Sequence, residues 1–143
     1  MTPEKTIYIA DDDANIRETI KAFLEKSGYA VCAFDDGEKL LNAFHEKPAD
    51  LVILDVNMPV TNGFIACKTL RQTSRVPVFL LTARDSDLDH QTGLDLGCDA
   101  FFVKPISTMT IVMTVSALFR RIEYEWAACR EADARERMLV ASS

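Results

Sequence analysis

The sequence has no long hydrophobic run: its unbroken apolar stretches reach only a strand's length, as at Leu51–Leu54, so no segment is expected to span a bilayer. Its first residues lack a basic region followed by an apolar stretch, so a secretory leader is not expected and a cytoplasmic location is. Basic residues are outnumbered, 16 Lys and Arg against 22 Asp and Glu, for a net charge of −6, and no basic stripe appears. Direct binding to a nucleic-acid backbone, which draws on clustered Lys and Arg, is thereby disfavoured. Neither a G-x-x-x-x-G-K loop nor a G-x-G-x-x-G turn is found, which argues against a nucleotide-binding enzyme. Cys32, Cys67, Cys98 and Cys129 form no C-x-x-C pair, and buried reduced thiols are the expectation. His45 and His90 stand apart with no ligand spacing around them.

What is present fits one folded domain with a short appendage. In 143 residues, 48% hydrophobic and 27% charged residues give a mean hydropathy near zero, the balance of a globular chain. Five apolar runs read as strands: Thr6–Ala10, Ala30–Phe34, Leu51–Asp55, Val76–Leu81 and Ala100–Val103. Most are continuous rather than alternating, as in a parallel sheet covered on both faces. Helical patterns separate them, with apolar residues three and four apart at Ile16, Ile20, Phe23 and Leu24, and at Leu40, Leu41 and Phe44. Right-handed crossovers then give an α/β, doubly wound, flavodoxin-like fold: a five-stranded parallel sheet in the order 2-1-3-4-5, with ligands at the carboxyl ends of the strands.

The strand ends carry the polar residues. Asp11, Asp12 and Asp13 follow the first strand, Asp55 ends the third, Thr82 follows the fourth and Lys104 the fifth. Carboxylates crowded together raise one another's pKa unless a cation compensates. Hard oxygen ligands with one or two carboxylates select Mg²⁺, or a similar ion such as Mn²⁺. Simpler readings stand beside this one. The aspartates could cap the first helix, and for Asp13 that is the expectation. Thr82 alone could be a helix cap, Lys104 alone a solvated charge, and Phe101 alone ordinary core. Asp55 is harder to explain so, because carboxylates at the end of apolar strands are seldom buried without a partner. Met58-Pro59 and Asn62-Gly63 read as turn chemistry beside it.

In order and spacing, ADDD at Ala10–Asp13, LVILDVNMPVTNGF at Leu51–Phe64, LTA at Leu81–Ala83 and GLDLGCDAFFVKP at Gly93–Pro105 resemble the response-regulator receiver family of two-component phosphorelays, across Thr6 to about Phe119. The resemblance implies that Asp55 is the phospho-acceptor. It implies that Asp12, Asp55 and the backbone carbonyl of Asn57 bind Mg²⁺, with Asp11 holding the metal directly or through water. Lys104, fixed by Pro105, would place a positive charge on the transferring phosphoryl group, and the Thr82 hydroxyl would donate to a phosphoryl oxygen after modification. The switch ring falls at Phe101, which has no hydroxyl, so any inward state would rest on packing alone. Implied partners are a histidine kinase or phosphotransfer protein as donor and an output domain or effector. The expected activity is regulatory: the domain takes part in its own phosphoryl transfer and autodephosphorylation without being a dedicated enzyme. Asn57 and Arg84, two residues beyond Asp55 and Thr82, would face the phosphoryl entrance.

Two other functions compete. A haloacid-dehalogenase-like phosphatase also forms an aspartyl phosphate, but it uses an acidic residue two positions after the nucleophile, where this chain has Asn57. A docking module that keeps the fold without phosphorylation is the other; the intact acceptor set weighs against it.

The last helix has two apolar faces in sequence. Ile111, Val115, Leu118 and Ile122 form one stripe, while Met109, Val112 and Met113 lie off it. The fourth and fifth helices with the fifth strand are therefore expected to form a partner or homodimer surface. Residues 1–120 form the expected receiver, and 121–143 a helical extension, a connector to an output domain or a second route to a homodimer. Its three-four series Val115, Leu118, Ile122, Glu125, Cys129, Ala132, Glu136 and Leu139 makes only a weak coiled-coil seam. Arg121 and Glu125 are spaced to pair along it.

Overall fold

Five short apolar runs become five parallel strands, each followed by a helix. A computed structural model describes residues 4–58, 60–83 and 87–142, and along 87–90 and 139–142 it describes the backbone only. The elements alternate as β1 (Thr6–Ala10), α1 (Ala14–Lys26), β2 (Ala30–Phe34), α2 (Gly37–Glu46), β3 (Leu51–Asp55), α3 (Gly63–Arg71), β4 (Val78–Thr82), α4 (Asp87–Asp95), β5 (Ala100–Val103) and α5 (Thr108–Ser142). The sheet order is β2-β1-β3-β4-β5, with every neighbouring pair parallel. The expected doubly wound order is therefore the one observed.

Burial follows position in the sheet. β3 and β4 are buried at every residue, whereas the outer strands β2 and β5 are largely half-buried. Alternate residues serve opposite faces. One face joins Tyr8, Val52, Leu54, Val78 and Leu80 to Leu40 and Phe44 of α2 and to Ala66, Cys67 and Leu70 of α3 in a single core. Each Val, Leu or Phe among them, taken fully from water, contributes about 1.5–3 kcal/mol. β4 begins two residues later than its apolar run predicted. Pro77 has no N–H to give to a ladder, and Thr82 becomes the last residue of the strand rather than the first beyond it.

Local chemistry sets the helix starts. Asp13 caps α1, accepting from the N–H groups of Asn15 and Ile16, as its place after the acidic pair predicted. Asp36 and Asn62 cap α2 and α3 in the same way.

The backbone divides into two compact units, Met1–Thr108 and Met109–Ser143. The described part of the second lies within α5, one continuous helix of 35 residues that begins at Thr108. Met109 and Met113 are exposed as expected, but Val112, placed by sequence on the same outer face, is buried, as are Ile111, Val115, Leu118 and Phe119. Arg121 and Glu125 pair at 3.9 Å with both side chains exposed, an arrangement of little energetic consequence. The expectation of buried thiols is also corrected: all four cysteines are free, but Cys32 and Cys129 are exposed and only Cys67 is fully buried. Among the described residues no helix is long and apolar enough to cross a membrane.

Candidate functional site

All five strands point the same way, so their carboxyl ends meet at one edge, and β1 and β3 are neighbours there. Because β1 ends at Ala10 and β3 at Asp55, that edge holds Asp11, Asp12 and Asp55 together: one oxygen from each lies within 4.8 Å of the others. Asp11 and Asp55 are buried, and Asp12 is exposed at the mouth. Lys104, following β5, reaches into the same group, its Nζ 2.9 Å from Asp11 Oδ2 and 3.4 Å from Asp55 Oδ2.

The remaining polar atoms are held by the turns around them. Asp11 Oδ1 accepts from the Asp13 N–H at 2.9 Å, and Asp55 Oδ1 accepts from the Asn57 N–H at 3.1 Å. Asn57 Nδ2 donates to Thr82 Oγ1 at 3.2 Å, and Thr82 is fully buried at the end of β4. The Lys104 N–H donates to the Thr82 carbonyl at 2.6 Å, linking β4 to the loop that carries the lysine. The Lys104–Pro105 peptide is cis.

Burial pushes the Asp55 carboxyl up to about 6, assisted by the neighbouring Asp11 charge, and the Asn57 N–H and Lys104 only partly offset it. Burial alone would lower Lys104, but its hydrogen bond and ion pairs with Asp11 and Asp55 prevail and raise it. Three carboxylates against one ammonium leave the pocket with two excess negative charges, which a divalent cation would balance. The donors are hard carboxylate oxygens at the mouth of a buried pocket, a set that suits Mg²⁺ or Mn²⁺.

Sequence reasoning thus named a set that meets in space: Asp11, Asp12, Asp55, Asn57, Thr82 and Lys104. Phe101 is half-buried against the core that α2 and α3 cover, and an added Cβ at Gly93 of α4 would come within 2.9 Å of its ring. Arg84 falls outside the described residues. Arg17 was missed. Its Nη1 donates to the Asp11 carbonyl at 2.7 Å and steadies the β1–α1 turn from one turn into α1. An arginine six residues beyond Asp11, on the helix that follows it, was the available signal.

Comparison with known proteins agrees with this geometry. The family model for the response regulator receiver domain matches residues 7–116. The chain is 42% identical over 120 residues to a probable transcriptional regulator, ycf27, of Guillardia theta, covering 84% of this chain and 47% of that protein. It is 41% identical over 115 residues to the transcriptional regulatory protein CpxR of Escherichia coli K12, covering 80% of this chain and 49% of that one. It therefore spans about half the length of the curated relatives it matches. Among solved structures, the receiver domain of the Francisella response regulator 1452 superposes with a TM-score of 0.79 at 31% identity, covering 83% of this chain and 99% of that one. With the sheet order, the acidic pocket and the family match in agreement, the chain belongs to the response regulator receiver domains of two-component signal transduction.

Proposed function

We propose that Asp55 accepts a phosphoryl group from the phosphohistidine of a histidine kinase or phosphotransfer protein, and that the modified domain regulates an output domain or effector. The observation that carries this reading is the buried Asp55 carboxylate, 3.4 Å from the Lys104 ammonium inside an acidic triad. An Asp55 oxygen attacks phosphorus as the P–N bond to the donor imidazole breaks, and the imidazole leaves with that electron pair. Lys104 holds a positive charge beside the oxygens that gain negative charge. Asp11, Asp12, Asp55 and the Asn57 backbone carbonyl would hold Mg²⁺ or Mn²⁺. Such an ion neutralises the carboxylates and the transferring phosphoryl oxygens when bound. Attack of water on the acyl phosphate returns the free carboxylate and inorganic phosphate.

Thr82 is the residue proposed to engage the new phosphoryl group, and Phe101 the ring that responds by packing. The responding surface in this reading comprises α4, β5 and α5. The output is an effector domain or partner, and the relatives named as transcriptional regulators offer one class of it.

The test is incubation with acetyl phosphate and Mg²⁺ followed by intact mass measurement. The parent should gain one phosphoryl group and Asp55→Asn none. Steady phosphate release with no adduct would favour a hydrolase; no adduct and no release from the parent would favour a docking module.

A further inference from the structure

Every polar atom of Asp11 is held. Its N–H donates to the Phe34 carbonyl at 3.2 Å, its Oδ1 accepts from the Asp13 N–H, and its Oδ2 faces the Lys104 ammonium. Its main-chain carbonyl accepts from Arg17 Nη1 at 2.7 Å. The first two partners are main chain, and Lys104 already has a part in the phosphoryl chemistry. Arg17 has none. Its side chain is only 16% exposed, so a guanidinium is held largely out of water next to a group of carboxylates that would take up a cation. By charge alone that is the wrong sign, because a fixed positive group opposes occupancy of a nearby cation site.

The carbonyl that Arg17 holds belongs to the peptide joining Asp11 to Asp12. A peptide is planar, so fixing its oxygen fixes the direction in which the chain enters Asp12. Asp11 is fully buried and Asp12 is exposed, so Asp12 is the ligand with less protein around it to hold it in place. We infer that Arg17 is a positioning residue for the divalent cation: from one turn into α1 it clamps the Asp11–Asp12 peptide and keeps the Asp12 carboxylate gathered with those of Asp11 and Asp55. This inference rests on the reading of the three carboxylates as metal ligands.

The experiment is a calorimetric titration of the full chain with Mg²⁺, with thermal unfolding of each variant alongside. Arg17→Met, which keeps an aliphatic stem and loses both charge and donors, should bind Mg²⁺ about tenfold more weakly, the order of effect for losing a group that orients a metal ligand. Arg17→Lys keeps the charge but offers the carbonyl a flexible ammonium in place of a planar fork, and should fall roughly threefold below the parent. A guanidinium acting only through its charge gives the reverse pattern, with Arg17→Lys like the parent and Arg17→Met tighter. Arg71→Met is the control for loosening of the fold, since it removes a guanidinium bonded to the Val76 and Gly97 carbonyls, before β4 and β5 and away from the carboxylates. It should lose stability and keep the parent's Mg²⁺ affinity within about twofold, as expected of an uncoupled site. Arg17→Met binding as tightly as the parent or tighter, or an equal weakening in Arg71→Met, would overturn the inference and leave the metal reading intact. Where Arg17→Met fails to fold, parent-like affinity in Arg17→Lys does the same. A parent that binds no Mg²⁺ would overturn both.

Discussion

Asp55 sits where its charge is least welcome, and its titration follows from that. The folded protein keeps the Asp55 proton up to about pH 6, whereas the ordinary carboxyl loses it near 3.8. Between those values the folded state binds more protons than the unfolded one, so stability falls as pH rises through the window and the favourable contribution is complete only below it. In metal-free buffer Asp55→Asn should therefore exceed the parent in stability by roughly 2–3 kcal/mol at pH 7 and match it near pH 4; urea unfolding at the two pH values checks this, and a constant difference would contradict it. Lys104→Met should act in the opposite sense. Removing the cation shared by Asp11 and Asp55 should cost about 3 kcal/mol at pH 7, partly restored by Mg²⁺; thermal unfolding with and without the metal reads both effects. Val60, in the loop after Asp55, has a left-handed φ of 65° and is almost wholly exposed, so its backbone strain is not offset by packing. Val60→Gly should raise stability by about 1 kcal/mol in urea unfolding. The carboxylates and Lys104 were legible because they stand at the ends of apolar runs. The Asn57–Thr82 contact was not, since it depends on how the loop after β3 folds back towards β4.

Among the elements, β3 and the start of α3 come together at the shortest of the glycine approaches. Asn62 caps α3, and a Cβ on Gly63 would lie 2.6 Å from the Asp55 carbonyl oxygen, closer than backbone permits. Gly63→Ala must therefore push α3 away from the end of β3. The expected result is a loss of about 2 kcal/mol in stability together with weaker Mg²⁺ binding by calorimetry; unchanged affinity would show that the approach does not position Asp55. Four of the five strands coincide with their apolar runs: β1 and β3 because a parallel strand covered on both faces must be apolar throughout, and β2 and β5 although they are largely half-buried at the sheet edges. The exception, β4, was misplaced at both ends: it starts after Pro77, which interrupts the ladder without interrupting the hydrophobicity, and it runs on to include the polar Thr82. At the other edge of the sheet, Arg71 donates to the Gly97 and Val76 carbonyls at 2.8 and 2.6 Å, and Asp99 accepts from the Val78 N–H at 2.8 Å. That arginine joins the end of α3 to the turn before β5, a tie no local pattern announces because its partners lie 5 and 26 residues away.

Across the whole molecule, the family match ends at residue 116 while α5 continues to Ser142. Along that continuation Tyr124, Trp126 and Met138 are exposed, a composition suited to contact with another protein surface. If the surface of α4, β5 and α5 or the helical extension serves a homodimer, sedimentation should show a larger species once a beryllofluoride acyl-phosphate mimic and Mg²⁺ are added; a monomer in both conditions would count against self-association. The fold and the acidic pocket are legible in the sequence because both follow from strand ends in a fixed order. The output is not, because it depends on surfaces that packing and hydrogen bonding inside the chain leave unspecified. The central claim, that a metal-assisted carboxylate at position 55 becomes an acyl phosphate, is tested most directly by borohydride reduction of the acetyl phosphate-treated protein followed by peptide mass mapping. Homoserine should appear in place of aspartate at position 55 and nowhere else, and only when Mg²⁺ is present. Reduction at another residue, or an unmodified Asp55 in a phosphorylated chain, would contradict the account.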